Sequence, residues 1–197
     1  MKKYIAELIG TFALSFVVLL AVSGTAPVAV PVIAGLTLGL FVYTIGPVSG
    51  CHINPSVTMA LWSVKKISVK DAVSYIVAQF LGALLAIAIA KYIGIMAPAG
   101  AVPMSGKIFF AEMLGAFFFN FGIAAVVYGK AKEQMSGLVI GGSLLFGVLI
   151  ASLAGASGIL NPAVALALNS LSFVYLFAPI VGAVIGFHVY RYVVGEK

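Results

Sequence analysis

The sequence predicts an all-α membrane protein of six transmembrane helices plus two re-entrant half-helices, arranged as an inverted three-span repeat. Three observations predict it. Of the 197 residues, 63% are apolar and only 8% charged, against about a quarter charged in a soluble domain. The few charges are clustered, with long uncharged stretches between them. The two longest stretches each contain one Asn-Pro pair, Asn54-Pro55 and Asn161-Pro162. This composition excludes a soluble enzyme, a disordered chain and a nucleic-acid module. The net charge of +6 has its use as a topology signal rather than in contacting nucleic acid. The lone Cys51 has no disulfide or metal partner.

Tyr4 to Val64 carries a single formal charge, Glu7. Ala72 to Ala90 carries none, Ile108 to Gly129 only Glu112, and Gln134 to Tyr190 none. A spanning helix needs about 20 apolar residues. The second and third stretches are therefore one span each. The first and last hold two spans and a remainder too short for a third. Asn is a favoured helix N-cap, and Pro at the first helical position loses no hydrogen bond. The short runs Ser56–Val64 and Ala163–Leu171 after the pairs thus read as half-helices, about Pro55–Val64 and Pro162–Ser170. The spans read as Tyr4–Ser23, Val30–Ile45, Ala72–Tyr92, Ile108–Tyr128, Leu138–Leu153 and Phe173–Val194. The first is too long for the apolar region of a signal peptide. Placing both termini in the cytoplasm puts Lys2, Lys3, Lys65, Lys66, Lys70, Lys130, Lys132, Arg191 and Lys197 inside, leaving only Lys91 and Lys107 outside.

The halves repeat, at about 1–97 and 106–197 of a single transmembrane domain. Ala6-Glu7-Leu8-Ile9-Gly10 resembles Ala111-Glu112-Met113-Leu114-Gly115, His52-Ile53-Asn54-Pro55 resembles Ile159-Leu160-Asn161-Pro162, and Phe80-Leu81-Gly82-Ala83 resembles Ile180-Val181-Gly182-Ala183. Three spans per repeat turn the second copy upside down. Broken helices meeting near the midplane of inverted repeats are a transport design. Two facing helix N-termini leave free N–H groups and positive dipole ends at one place. Asn54 and Asn161 add side-chain donors. Such a centre attracts an uncharged oxygen and repels cations.

Ser49-Gly50-Cys51-His52-Ile53-Asn54-Pro55-Ser56-Val57-Thr58 resembles the first Asn-Pro-Ala loop of the aquaporin, or major intrinsic protein, family. Asn161-Pro162-Ala163 resembles the second, and the likeness runs from Ala6-Glu7 to Pro179-Ile180-Val181-Gly182-Ala183. The resemblance implies homotetramers in the cell membrane, one pore per protomer, and passive flow of water or small neutral solutes such as glycerol, without a cofactor. The pore filter would be Asn54, Pro55, Ser56, Asn161, Pro162 and Ala163. Two residues depart from the family pattern. Ser56 replaces an Ala, and Val164 stands where most members place an Arg that lines the outer constriction. The other constriction positions fall near Ala34, Leu149 and Gly158, giving a wide, apolar ring.

Glu7 and Glu112, at equivalent positions, are expected to accept backbone N–H bonds from the loops before the half-helices. Proton carriage is the weaker reading. His52 is expected to pack and hydrogen-bond near the inner mouth, with a pH gate as the alternative. Gly35/Gly39 and Gly182/Gly186 are spaced for close helix packing within the protomer. Tyr175-Leu176 fits neither the water-type nor the glycerol-type pattern of the family. The rival function is a secondary transporter, which needs coupling chemistry near the midplane. An intramembrane enzyme needs a nucleophile with a base, or a metal cluster, and no such constellation presents itself.

Overall fold

The computed structural model describes residues 1–25, 27–96 and 105–196. Among the described residues, eight α-helices make up the architecture and there is no strand. They are α1 (Lys2–Leu20), α2 (Val30–Ser49), α3 (Pro55–Ser63), α4 (Val69–Tyr92), α5 (Gly106–Val127), α6 (Ser136–Leu153), α7 (Pro162–Ala167) and α8 (Phe173–Val193). Six of these are long and apolar enough to cross a membrane. The short ones, α3 and α7, are the half-helices.

Local chemistry explains where the elements start and stop. Asn54 and Asn161 cap α3 and α7 with Pro at the first helical position. Ser68 accepts from the N–H of Asp71 at 3.1 Å, and Ser105 and Ser172 cap α5 and α8 in the same way. The α4 helix therefore begins at Val69, not Ala72. Asp71 is no break; it lies in the first turn, where an acidic side chain complements the helix dipole. The α2 helix runs past Ile45 to Ser49 through Pro47, because a proline near a helix end removes only one bond. The α7 helix stops at Ala167, short of Ser170, as Asn169 turns left-handed at φ 53°.

The helices approach closely through glycines. A Cβ on Gly35 of α2 would lie 2.7 Å from the Gly141 carbonyl oxygen of α6, and one on Gly182 of α8 would collide with the Met113 carbonyl of α5. These contacts lie within the protomer. Helix α1 packs on α2 and α4, and α5 correspondingly on α6 and α8. Each half-helix leans on the other repeat: α3 lies mainly against α8, and α7 against α4 and α1.

One end of the bundle is defined by Lys3 paired with Asp71 at 2.8 Å, Lys66 over the Tyr128 ring, and Lys130 paired with Glu196 at 3.1 Å. The start of α1 and the end of α8 lie there. The opposite end gathers Ser23, which bonds the Met96 carbonyl, and Gly155 beside Lys107. Helix α3 runs from the middle toward the first end, and α7 toward the second. The two half-helices therefore enter from opposite sides.

Candidate functional site

The loops before α3 and α7 turn sharply inside the bundle. Cys51 (φ 51°), Ile53 (φ 38°), Gly158 (φ 67°) and Leu160 (φ 52°) are all left-handed. Only glycine adopts that conformation without steric cost, so three of these four residues are strained. Such backbone also leaves its N–H groups without helical partners. Two buried carboxylates take them. Glu7 Oε1 accepts from His52 N (2.9 Å) and Ser49 Oγ (2.7 Å), and its Oε2 from Ile53 N (2.6 Å) and Gln79 Nε2 (2.8 Å). Glu112 Oε1 accepts from Gly158 N (2.7 Å) and Ile159 N (3.1 Å), and its Oε2 from Leu160 N (2.9 Å). Both carboxylates are fully buried.

The half-helix N-termini then meet. Asn54 Oδ1 accepts from Ser56 N at 2.8 Å, while Asn161 Oδ1 accepts from Ala163 N at 3.0 Å and Val164 N at 3.4 Å. Each amide nitrogen also crosses to the other loop. Asn54 Nδ2 donates to the Leu160 carbonyl and Asn161 Nδ2 to the Ile53 carbonyl, both at 3.0 Å. Ser56 adds a hydroxyl 2.8 Å from Asn54 Oδ1 and 3.2 Å from the Leu160 carbonyl. Its repeat equivalent, Ala163, has none. Each amide has a second N–H, and both asparagines line the cavity described next.

Two cavities run through the bundle. The first, of about 270 Å³, is walled by Leu14, Asn54, Phe119, Leu144, Asn161 and Val164 among others, and opens toward Ser157. The second, of about 370 Å³, reaches Glu133 and Ser136 at the end that carries the start of α1 and the end of α8. Leu38, His52 and Phe119 wall both and mark the waist between them. Among the described residues, no Asp, Glu, Lys or Arg side chain lines the first cavity.

Ala34, Gly158 and Val164 all line the first cavity. Leu149 does not. It is 40% exposed on the outer surface of α6, whereas Val148 is 4% exposed and faces the cavity. One helical step turns a side chain by about 100°, so the register is corrected by one residue. Val148 also touches the loop: a Cβ on Gly158 would sit 2.9 Å from its Cγ1.

His52 is buried with Nδ1 3.1 Å from Thr58 Oγ1 and its ring edge-on to Tyr75 at 4.9 Å. Tyr75 donates to the Ser49 carbonyl at 2.7 Å, and Gln79 donates to Thr58 Oγ1 at 3.0 Å. Ser49, Thr58, Tyr75 and Gln79 are supports that sequence reasoning missed. The one available signal was an uncharged polar residue, Gln79, inside an apolar span. Pro179 occupies the matching place in the second repeat, and among the described residues Glu112 correspondingly accepts from three backbone donors alone. Among the described residues, no three His, Cys, Asp or Glu side chains converge on a metal site.

Comparison with known proteins agrees with this geometry. Residues 1–190 match the family model described as major intrinsic protein. The chain is 33% identical to aquaporin AqpM of Methanothermobacter thermautotrophicus, over 99% of this chain and 98% of that one. It is 36% identical to glycerol uptake facilitator protein-like 6 of Lactiplantibacillus plantarum, over 94% of each. In fold it matches the aquaglyceroporin from Plasmodium falciparum with a TM-score of 0.74 at 24% identity, covering 98% of this chain and 96% of that one. With capped half-helices meeting beside an uncharged bore, the chain belongs to the major intrinsic protein family, a family of passive membrane channels for water and small uncharged solutes.

Proposed function

We propose that this channel passes solutes of glycerol size as well as water, through an outer ring of Ala34, Val148, Gly158 and Val164. The observation that carries the reading is that Ala34, Val148, Gly158 and Val164, none of them charged or aromatic, all line the first cavity. Arg would supply five fixed donors and a permanent charge; Val164 supplies neither. The name of one relative, a glycerol uptake facilitator protein-like 6, fits the same solute class. Asn54 and Asn161 form the central filter, with Pro55, Ser56, Pro162 and Ala163 shaping it. Their second N–H groups and the two helix dipoles favour an uncharged oxygen over a cation.

A coupled carrier would need free carboxylates near the centre. Glu7 and Glu112 are both committed to loop N–H groups, which supports passive flow. The arrangement is read further as one domain of two repeats, 1–97 and 106–197, in homotetramers of the cell membrane with both termini cytoplasmic. Exposed apolar side chains on α2 and α6, such as Leu36, Leu40, Leu138 and Phe146, supply surface for lipid and for neighbouring protomers.

Purified protein in liposomes, followed by stopped-flow light scattering with water, glycerol and urea gradients, tests the reading. Flux should rise linearly with gradient and ignore Na⁺ and H⁺ gradients. Exclusion of glycerol and urea by vesicles that conduct water would overturn the wide-ring assignment.

A further inference from the structure

Among the described residues, five of the eight α-helices, α2, α4, α5, α6 and α8, end on a glycine in the left-handed conformation: Gly50, Gly94, Gly129, Gly155 and Gly195, in that order. That is the usual residue at such a cap. The α7 helix ends on Asn169, whose short polar side chain tolerates the conformation. The α3 helix ends on Lys65 at φ 61°. Its turn closes normally, with Lys65 N donating to the Trp62 carbonyl and Lys66 N to the Leu61 carbonyl, both at 2.9 Å. A lysine thus occupies a strained position for which glycine is the better residue. Placement of positive charge at this end of the bundle does not require it, because Lys66 and Lys70 flank the site.

Around this turn lies an open cleft of about 440 Å³ lined by Trp62, Lys65, Lys66, Ile67, Ser68 and Val69. Trp62 is 42% exposed, a large apolar surface on the outside of the bundle. Lys66 Nζ lies 5.1 Å from the centre of the Tyr128 ring. The sequence contains only five acidic residues, and four are committed. Glu7 and Glu112 hold the loops, Asp71 pairs with Lys3, and Glu196 pairs with Lys130. The fifth, Glu133, lines the mouth of the second cavity. Among the described residues Lys65, Lys66 and Lys70 pair with no carboxylate. Their ammonium groups are exposed and free to take an anion from outside the chain.

We propose that the α3–α4 turn is a binding site for an anionic phospholipid, with Lys65 and Lys66 on the headgroup phosphate, Lys70 beside it, and Trp62 and Val69 against the glycerol and upper acyl chain. The exposed apolar wall selects a lipid over a free phosphate. An ammonium group is a compact point charge on a flexible stem, which suits a phosphodiester at a membrane surface. A neighbouring aromatic ring is suited to the same depth, because the interface favours Trp.

The probe is built in, because Trp62 is the only tryptophan of the chain. Protein is reconstituted in phosphatidylcholine vesicles, and Trp62 fluorescence is quenched with brominated phosphatidylglycerol or brominated phosphatidylcholine. The anionic lipid should quench at several-fold lower mole fraction. Lys65→Gly should weaken that preference about fivefold, the value of one lysine near an anionic surface, while its thermal midpoint in phosphatidylcholine stays level or rises. Lys70→Gln should lower the preference without touching the strained residue. Three results would overturn the site: equal quenching by both lipids, an equal loss from Lys132→Ala outside the cleft, or displacement of the lipid by millimolar glycerol phosphate.

Discussion

Asn54 and Asn161 hold each other's loop in place: each side-chain amide donates at 3.0 Å to the carbonyl of the residue that precedes the other. The two caps are therefore one unit. Each asparagine joins its own half-helix to the opposite loop, and neither half-helix is positioned without the other.

Asn161→Ala removes a cap worth about 1 kcal/mol together with one buried hydrogen bond of similar size. The Ile53 carbonyl is left without that donor. Water flux in liposomes should fall by several-fold while the protein still inserts, and Asn54→Ala should behave alike. Unchanged flux and solute ranking would place the filter elsewhere.

Val148 and Leu149 provide a register test. Val148→Trp should block glycerol and slow water, because the side chain enters the first cavity. Leu149→Trp should leave both fluxes as they are, because residue 149 points outward from α6. Equal effects in stopped-flow measurements would contradict the bore assignment.

Val164→Arg introduces a long charged side chain into the apolar ring. It should slow glycerol more than water, since the larger solute meets the steric obstacle and water gains hydrogen-bond donors. The measured quantity is the ratio of glycerol to water permeability; a ratio that does not move would sink the assignment of residue 164 to the constriction.

Glu112→Gln replaces an acceptor of three backbone N–H bonds by an amide with one acceptor oxygen and two donors. At least one buried N–H then loses its partner, a cost of about 1–3 kcal/mol. The thermal midpoint in detergent should drop, and flux should fall with it because the second loop loosens.

Gly182→Leu should be the most disruptive change of the set. Even the Cβ collides with the Met113 carbonyl, so α5 and α8 must separate. Loss of monodisperse protein on size exclusion is the expected outcome, whereas a Leu at exposed Gly106, where a Cβ meets nothing within 4 Å, should be tolerated.

The sequence by itself determined the number of spans, the two half-helices and the equivalence of Glu7 with Glu112. Those features are written in local signals: sparse charge, Asn-Pro caps and a repeated segment. Tertiary structure alone decided that Val148 rather than Leu149 faces the bore, that Gln79, Thr58 and Tyr75 brace the first loop, and that the two asparagines bond across the centre. The physical reason is the solvent. In water a helix shows its buried face by alternating polar and apolar residues, but in lipid both faces are apolar and that phase is erased. Contacts across the bundle then depend on side chains brought together from distant parts of the chain, and no local pattern marks them.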